Sequence, residues 1–111
     1  MRRTFHLTAT DWWAGADPSV PLTAPSLDLD GFIHCTDGAA EMVETANRHY
    51  RSDRRAFVVL TIDLDRVSSP WTVEDAAGIY PHIHGPIDRA AILSTVAAPR
   101  DPDGAFLAFE A

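Results

Sequence analysis

At 111 residues, 46% of them hydrophobic, the chain is long enough for one core and too short for a second domain, so residues 1–111 read as a single unit. The formal net charge is -7 and all nine positive side chains are arginine. An acidic balance repels phosphate backbones, so no nucleic-acid partner is expected. Cys35 stands alone, which rules out an intrachain disulfide, and no apolar run approaches the roughly 20 residues of a membrane span. Arg2 and Arg3 lead into His6, Asp11 and Trp12 with no apolar signal core. The expectation is a cytoplasmic domain with no membrane partner and an open oligomeric state.

Residues 3–7 predict a strand. Thr8 or Thr10 can cap a short helix through Asp11-Trp12-Trp13-Ala14, which Gly15 ends. Pro18, Pro21 and Pro25 make residues 15–28 an irregular loop, and a long loop in a small domain is often functional. Residues 29–36 predict a second strand. Asp37 then caps a helix over 38–50, where Ala39, Met42, Val43, Ala46 and Tyr50 recur at helical spacing and Glu41, Glu44 and Arg48 take the wet side.

Ala56-Phe57-Val58-Val59-Leu60-Thr61-Ile62 is the clearest strand, apolar almost throughout and therefore expected to be covered on both faces. Residues 63–67 form a connector. Residues 71–75, 87–97 and 103–109 predict three further strands. The order gives an α+β fold with small, mostly antiparallel sheets and two short helices.

Four polar groups interrupt stretches that otherwise read as buried strand or tight turn: His6, His34, Glu74 and His82. An unpaired buried polar group costs roughly 1–3 kcal/mol, so convergence on one cleft is an economical explanation. Strand alternation puts His34 and Thr36 on one face, with Ile33 and Cys35 on the other, and makes Cys35 a small hydrophobe rather than a nucleophile. His6 shares its face with Thr4 and Thr8, and Glu74 with Thr72. His82 and His84 alternate, so both can meet one metal only if a third ligand joins them from His6, His34 or Glu74. His49, beside Arg48, reads as a surface residue. Trp12, Trp13 and Trp71 read as core or pocket wall. For each isolated histidine, a hydrogen bond to a neighbouring carbonyl is the competing structural role.

Phe5-His6-Leu7, Trp12 or Trp13, Asp30-Gly31-Phe32-Ile33-His34-Cys35-Thr36, Ile62-Asp63, Glu74 and Tyr80-Pro81-His82-Ile83-His84-Gly85-Pro86-Ile87 resemble the DUF952 family of uncharacterised small domains. The likeness runs over about residues 3–97. The family commonly has tyrosine in place of His84 and glutamine near Glu41. DUF952 domains look similar in fold to the ADP-ribosyltransferases, which bind NAD in a cleft between two small sheets.

That resemblance implies a transferase or NAD glycohydrolase with NAD as substrate and no certain cofactor. Glu74, His34 and His82 would be catalytic, and His6, Thr36 and His84 would bind ligand. Two alternatives stay open. One is a non-catalytic module for a nucleotide or small metabolite. The other is a metal-assisted enzyme using His34, His82 and His84.

Overall fold

A computed structural model describes residues Met1–Ala111. In chain order the elements are β1 (Arg3–Ala9), α1 (Thr10–Gly15), α2 (Pro25–Asp30), β2 (Ile33–His34), α3 (Ala39–Tyr50), β3 (Phe57–Asp63), β4 (Trp71–Val73), β5 (Pro81–Ile83) and β6 (Ile92–Ala97). Short 3-10 turns occupy Leu64–Arg66 and Arg89–Ala91. The strands form two three-stranded sheets, ordered β1-β3-β6 and β2-β5-β4, and every pairing is antiparallel.

β3 is buried along its whole length because it is central and both its faces are covered. On one face Val58, Leu60 and Ile62 pack with Leu22, Ile33, Ile83 and Ile87. On the other, Phe57 and Val59 pack with Phe5, Phe106 and two residues of α3, Met42 and Ala46. Each such side chain contributes roughly 1.5–3 kcal/mol when fully buried. A strand covered on both sides needs apolar residues at both parities, which accounts for its near-continuous run.

Several expected elements differ from what forms. Residues 25–30 are helical: Pro25 sits in the first turn, where its missing N–H costs nothing, and Gly31 closes the helix at φ 83°, donating its N–H to the Leu27 carbonyl. The strand expected over 29–36 therefore shrinks to Ile33–His34, and the helices number three. α1 starts without a threonine cap: Ala9 holds the cap position and Thr10 is already the first helical residue. Asp37 does not cap α3. Its carboxylate accepts from the Arg2 guanidinium at 2.7 Å, and Gly38 takes the cap position.

The strand expected over 87–97 starts only at Ile92, and that over 71–75 ends at Val73. Residues 103–109 form no strand. The Asp101 carboxylate accepts from the N–H groups of Asp103 and Ala105 and curls the chain, leaving one bridge between Arg100 and Phe106. Asn47 of α3 pins this segment by donating to the Phe106 carbonyl and accepting from its N–H. No helix is long and apolar enough to cross a membrane.

Candidate ligand cavity at the junction of the two sheets

The sheets touch through β1. Phe5 and Thr36 form a single bridge in which each main-chain N–H donates to the other's carbonyl at 2.9 Å. Beyond it the chain of β2 runs to β5, while β1 continues along β3. Main-chain direction alternates along an antiparallel strand, so Leu7 and Ala9 turn their N–H and C=O to the side Phe5 uses, away from β3. The even-numbered Thr10 keeps the opposite direction and donates to Ala56. The parting strands thus leave an open strand edge at Leu7.

That gap is a cavity of about 710 Å³, walled by β1, α2, the chain through His34–Thr36, and α3. Its volume falls within the range of small-ligand sites. His6, His34, Thr36 and His82 all line it, so four of the six residues singled out in the sequence converge. Glu74 is exposed, and neither it nor His84 lies on the wall.

His6 is 6% exposed. Its Nδ1 lies 2.7 Å from the His34 carbonyl, an acceptor, so Nδ1 carries the proton and donates. Burial, opposed in part by that bond, holds its pKa below the ordinary 6.5, so the ring is neutral at pH 7. Nε2 is then an acceptor, and it is buried without a partner. The Thr45 hydroxyl on the α3 wall is also buried and unpartnered. Two unsatisfied polar groups lining one cavity mark where a ligand hydrogen bond would be most favourable.

His34 and His82 face each other across β2 and β5, with ring centroids 5.8 Å apart. His82 stacks on Phe32 at 3.9 Å and 11°. Desolvation, then the nearby His34, lowers the His82 pKa, while Glu74 pulls the other way. The His34 Nε2–H donates to the Asp30 carboxylate at 2.9 Å, at the end of α2. The His84 ring lies against the Thr72 hydroxyl at 2.8 Å.

With those nitrogens engaged, His34, His82 and His84 do not converge on a point, and no group of three or more His, Cys, Asp or Glu can hold a metal ion. The metal-assisted alternative loses its ligand set. Cys35 is buried, and desolvation pushes its thiol pKa up, consistent with an inert apolar residue. Asp75 lines the cavity but is occupied. Desolvation opposes its ionisation, yet the main-chain N–H groups of Ile79 and Tyr80 hold its carboxyl below the usual range.

Apart from Trp12, which reads as core or pocket wall, sequence reasoning did not single out the rest of the wall. Met42, Thr45, Arg48 and His49 follow one another at helical spacing along α3, a signal that could have marked a cavity-facing stripe. Arg48 and His49 are exposed, as expected, but also line the cavity. The Tyr80 hydroxyl and Glu44 favour the charged form of Arg48. Trp12 also lines the cavity and donates its Nε1–H to the Thr23 carbonyl at 2.9 Å.

Among solved structures, the crystal structure of protein CC0527 from Caulobacter crescentus is similar at a TM-score of 0.73 and 20% identity, over 95% of this chain and 93% of that one. A double mutant of the same protein gives the same values. Its solution NMR structure gives a TM-score of 0.68 and 21% identity, over 94% and 90%. At this identity the likeness establishes a shared fold. No curated protein matches. The family described as "Protein of unknown function (DUF952)" matches residues 7–95, and the chain belongs to it.

Proposed function

We propose that this DUF952 domain binds NAD or another ADP-ribose-type small molecule in the cavity at the sheet junction. One observation carries the reading: His6 is held neutral with an unpartnered acceptor nitrogen, next to a strand edge whose Leu7 N–H and C=O have no strand to pair with. A carboxamide presents one acceptor and two donors in a plane, so it can pair with Leu7 as a neighbouring strand would. A ribose hydroxyl then donates to His6 Nε2. The arrangement of two three-stranded sheets with a cleft at their join also fits the ADP-ribosyltransferase resemblance.

In this reading Trp12 and Leu29 cover the apolar part of the ligand, while Arg48 and Arg55 meet the pyrophosphate. Thr36 fixes the wall through its main-chain bridge to Phe5. His34 and His82 stand at the mouth, and the depressed His82 pKa keeps its ring able to accept a proton at pH 7.

A hydrolytic reading has one supporting observation, that the Glu74 charge is felt at His82. Water would attack the anomeric carbon, the glycosidic C–N bond would break, nicotinamide would leave, and the proton would pass to His82. Glu74 would stabilise the positive charge developing on the ribose. Because Glu74 is off the wall, binding is the primary reading, and Glu74→Gln with product analysis decides the second. Unchanged nicotinamide release in that variant removes Glu74 from the reaction.

The test of binding is calorimetric titration of NAD, ADP-ribose and nicotinamide into the protein and into His6→Leu, which removes the acceptor at similar size. The expected result is saturable NAD binding that weakens about tenfold or more in His6→Leu, in line with loss of one buried hydrogen bond. NAD and ADP-ribose both failing to bind, or binding His6→Leu equally well, rejects the proposal.

A further inference from the structure

Arginines crowd the end of α3, and the helix does not need them. Arg100 already serves its terminal carbonyls: the guanidinium donates to the main-chain oxygens of Tyr50, Arg51, Asp53, Arg55 and Gly104. Arg48, Arg51 and Arg54 are left to line a separate shallow groove of about 350 Å³ with His49, Asn47, Ser52 and Asp103. No apolar residue lines it. Three arginines face one carboxylate there, on a chain whose net charge is -7.

Neither Arg51 nor Arg54 has a carboxylate partner, whereas Arg2, Arg48, Arg55 and Arg66 each have one. Arg54 reaches only the Pro102 carbonyl, at 3.3 Å. The groove adjoins the ligand cavity, since Arg48 and His49 line both.

We infer that this groove is an anion subsite adjoining the cavity, and that it takes a terminal phosphate of the ligand. The substrate class is thereby narrowed to nucleotides carrying a phosphomonoester beyond the portion held in the cavity. Guanidinium forks suit phosphate oxygens, and unpaired guanidinium groups need not first break an ion pair to meet one. An acidic protein that concentrates unpaired arginines at one place gains local attraction for an anion while still repelling a long polyanion. The narrowing of the substrate rests on the dinucleotide reading above. The groove itself does not.

The experiment is a pair of titrations on the full chain, with Arg51→Ala/Arg54→Ala as the groove variant and Arg3→Ala as an exposed control elsewhere. The first follows arginine Nε–H signals by NMR as inorganic pyrophosphate is added. Saturable shifts at Arg51 and Arg54, unchanged in the control, with the accompanying shift at Arg48 weakened fivefold or more in the groove variant, establish the anion subsite. Their absence, or equal shifts at Arg3, overturns it.

The second compares NAD with NADP by calorimetry. Binding of NADP about tenfold tighter than NAD, with the advantage lost in the groove variant, establishes the narrowed substrate class. Equal affinities overturn that class. If neither dinucleotide binds while pyrophosphate still saturates the groove, the cavity reading and the substrate class fall together and the anion subsite stands.

Discussion

The two sheets are built from the same number of strands and do opposite work. The central strand of the first, β3, is seven residues long and buried throughout. The central strand of the second, β5, has three residues, buries Pro81 and Ile83, and turns His82 outward between His34 and Thr72. A central strand covered on both faces has no room for chemistry, whereas one covered on a single face can carry polar side chains at little cost to the core. The cavity lies at the join, where the first sheet supplies its rigid edge and buried His6, and the second supplies titratable rings at the mouth.

The largest test of this division is Leu60→Ala. Leu60 is fully buried on β3, and its loss should cost about 3 kcal/mol in denaturant unfolding. A loss under about 1 kcal/mol would show that the first sheet does not carry the core. Next comes Arg100→Ala. It strips donors from a set of carbonyls at the end of α3 and a cation from above the Phe106 ring, 4.3 Å away. A loss of about 2 kcal/mol in the same measurement is expected.

The pH dependence is smaller. His6 has a depressed pKa in the folded state, so between that value and the ordinary 6.5 the unfolded chain binds a proton that the folded chain does not. Stability is therefore retained above pH 6.5 and falls as the pH drops through that window, with a slope of at most about 1.4 kcal/mol per pH unit from this group. In His6→Leu the unfolding midpoint should vary less with pH over the same range. An unchanged slope would mean that His6 does not set the acid sensitivity.

The smallest effect is expected for His82→Ala, a loss under about 1 kcal/mol, because the ring is only half-buried and its main partner is the Phe32 stack. A cost comparable to Leu60→Ala would erase the contrast between the sheets.

Much of this was legible in the sequence, and the reasons differ from one element to the next. The β3 run and the apolar stripe of α3 were readable because burial imposes periods of 2 and 3.6. His6, His34 and His82 stood out because each breaks such a pattern. α2 was hidden because Pro25 reads as a breaker until its position in the first helical turn is known. The false strand over 103–109 arose because alternating residues there look extended, while the Asp101 side chain captures the main-chain N–H groups.

Glu74 stood out as a carboxylate in a stretch read as strand, and alternation cannot tell that β4 ends at Val73. The open edge at Leu7 had no signature at all. It exists only because β2, on the far side of the Phe5–Thr36 bridge, pairs with β5 rather than β1, and a strand edge is a property of what fails to pair with it.

The most direct measurement is a long-range proton–nitrogen NMR correlation of the His6 ring, with and without NAD. The account predicts a neutral ring at pH 7 with its proton on Nδ1 and a bare Nε2 in the free protein, followed by a saturable upfield move of Nε2 as a ligand hydroxyl donates to it. A protonated ring, a proton on Nε2, or an Nε2 signal indifferent to saturating NAD would contradict it.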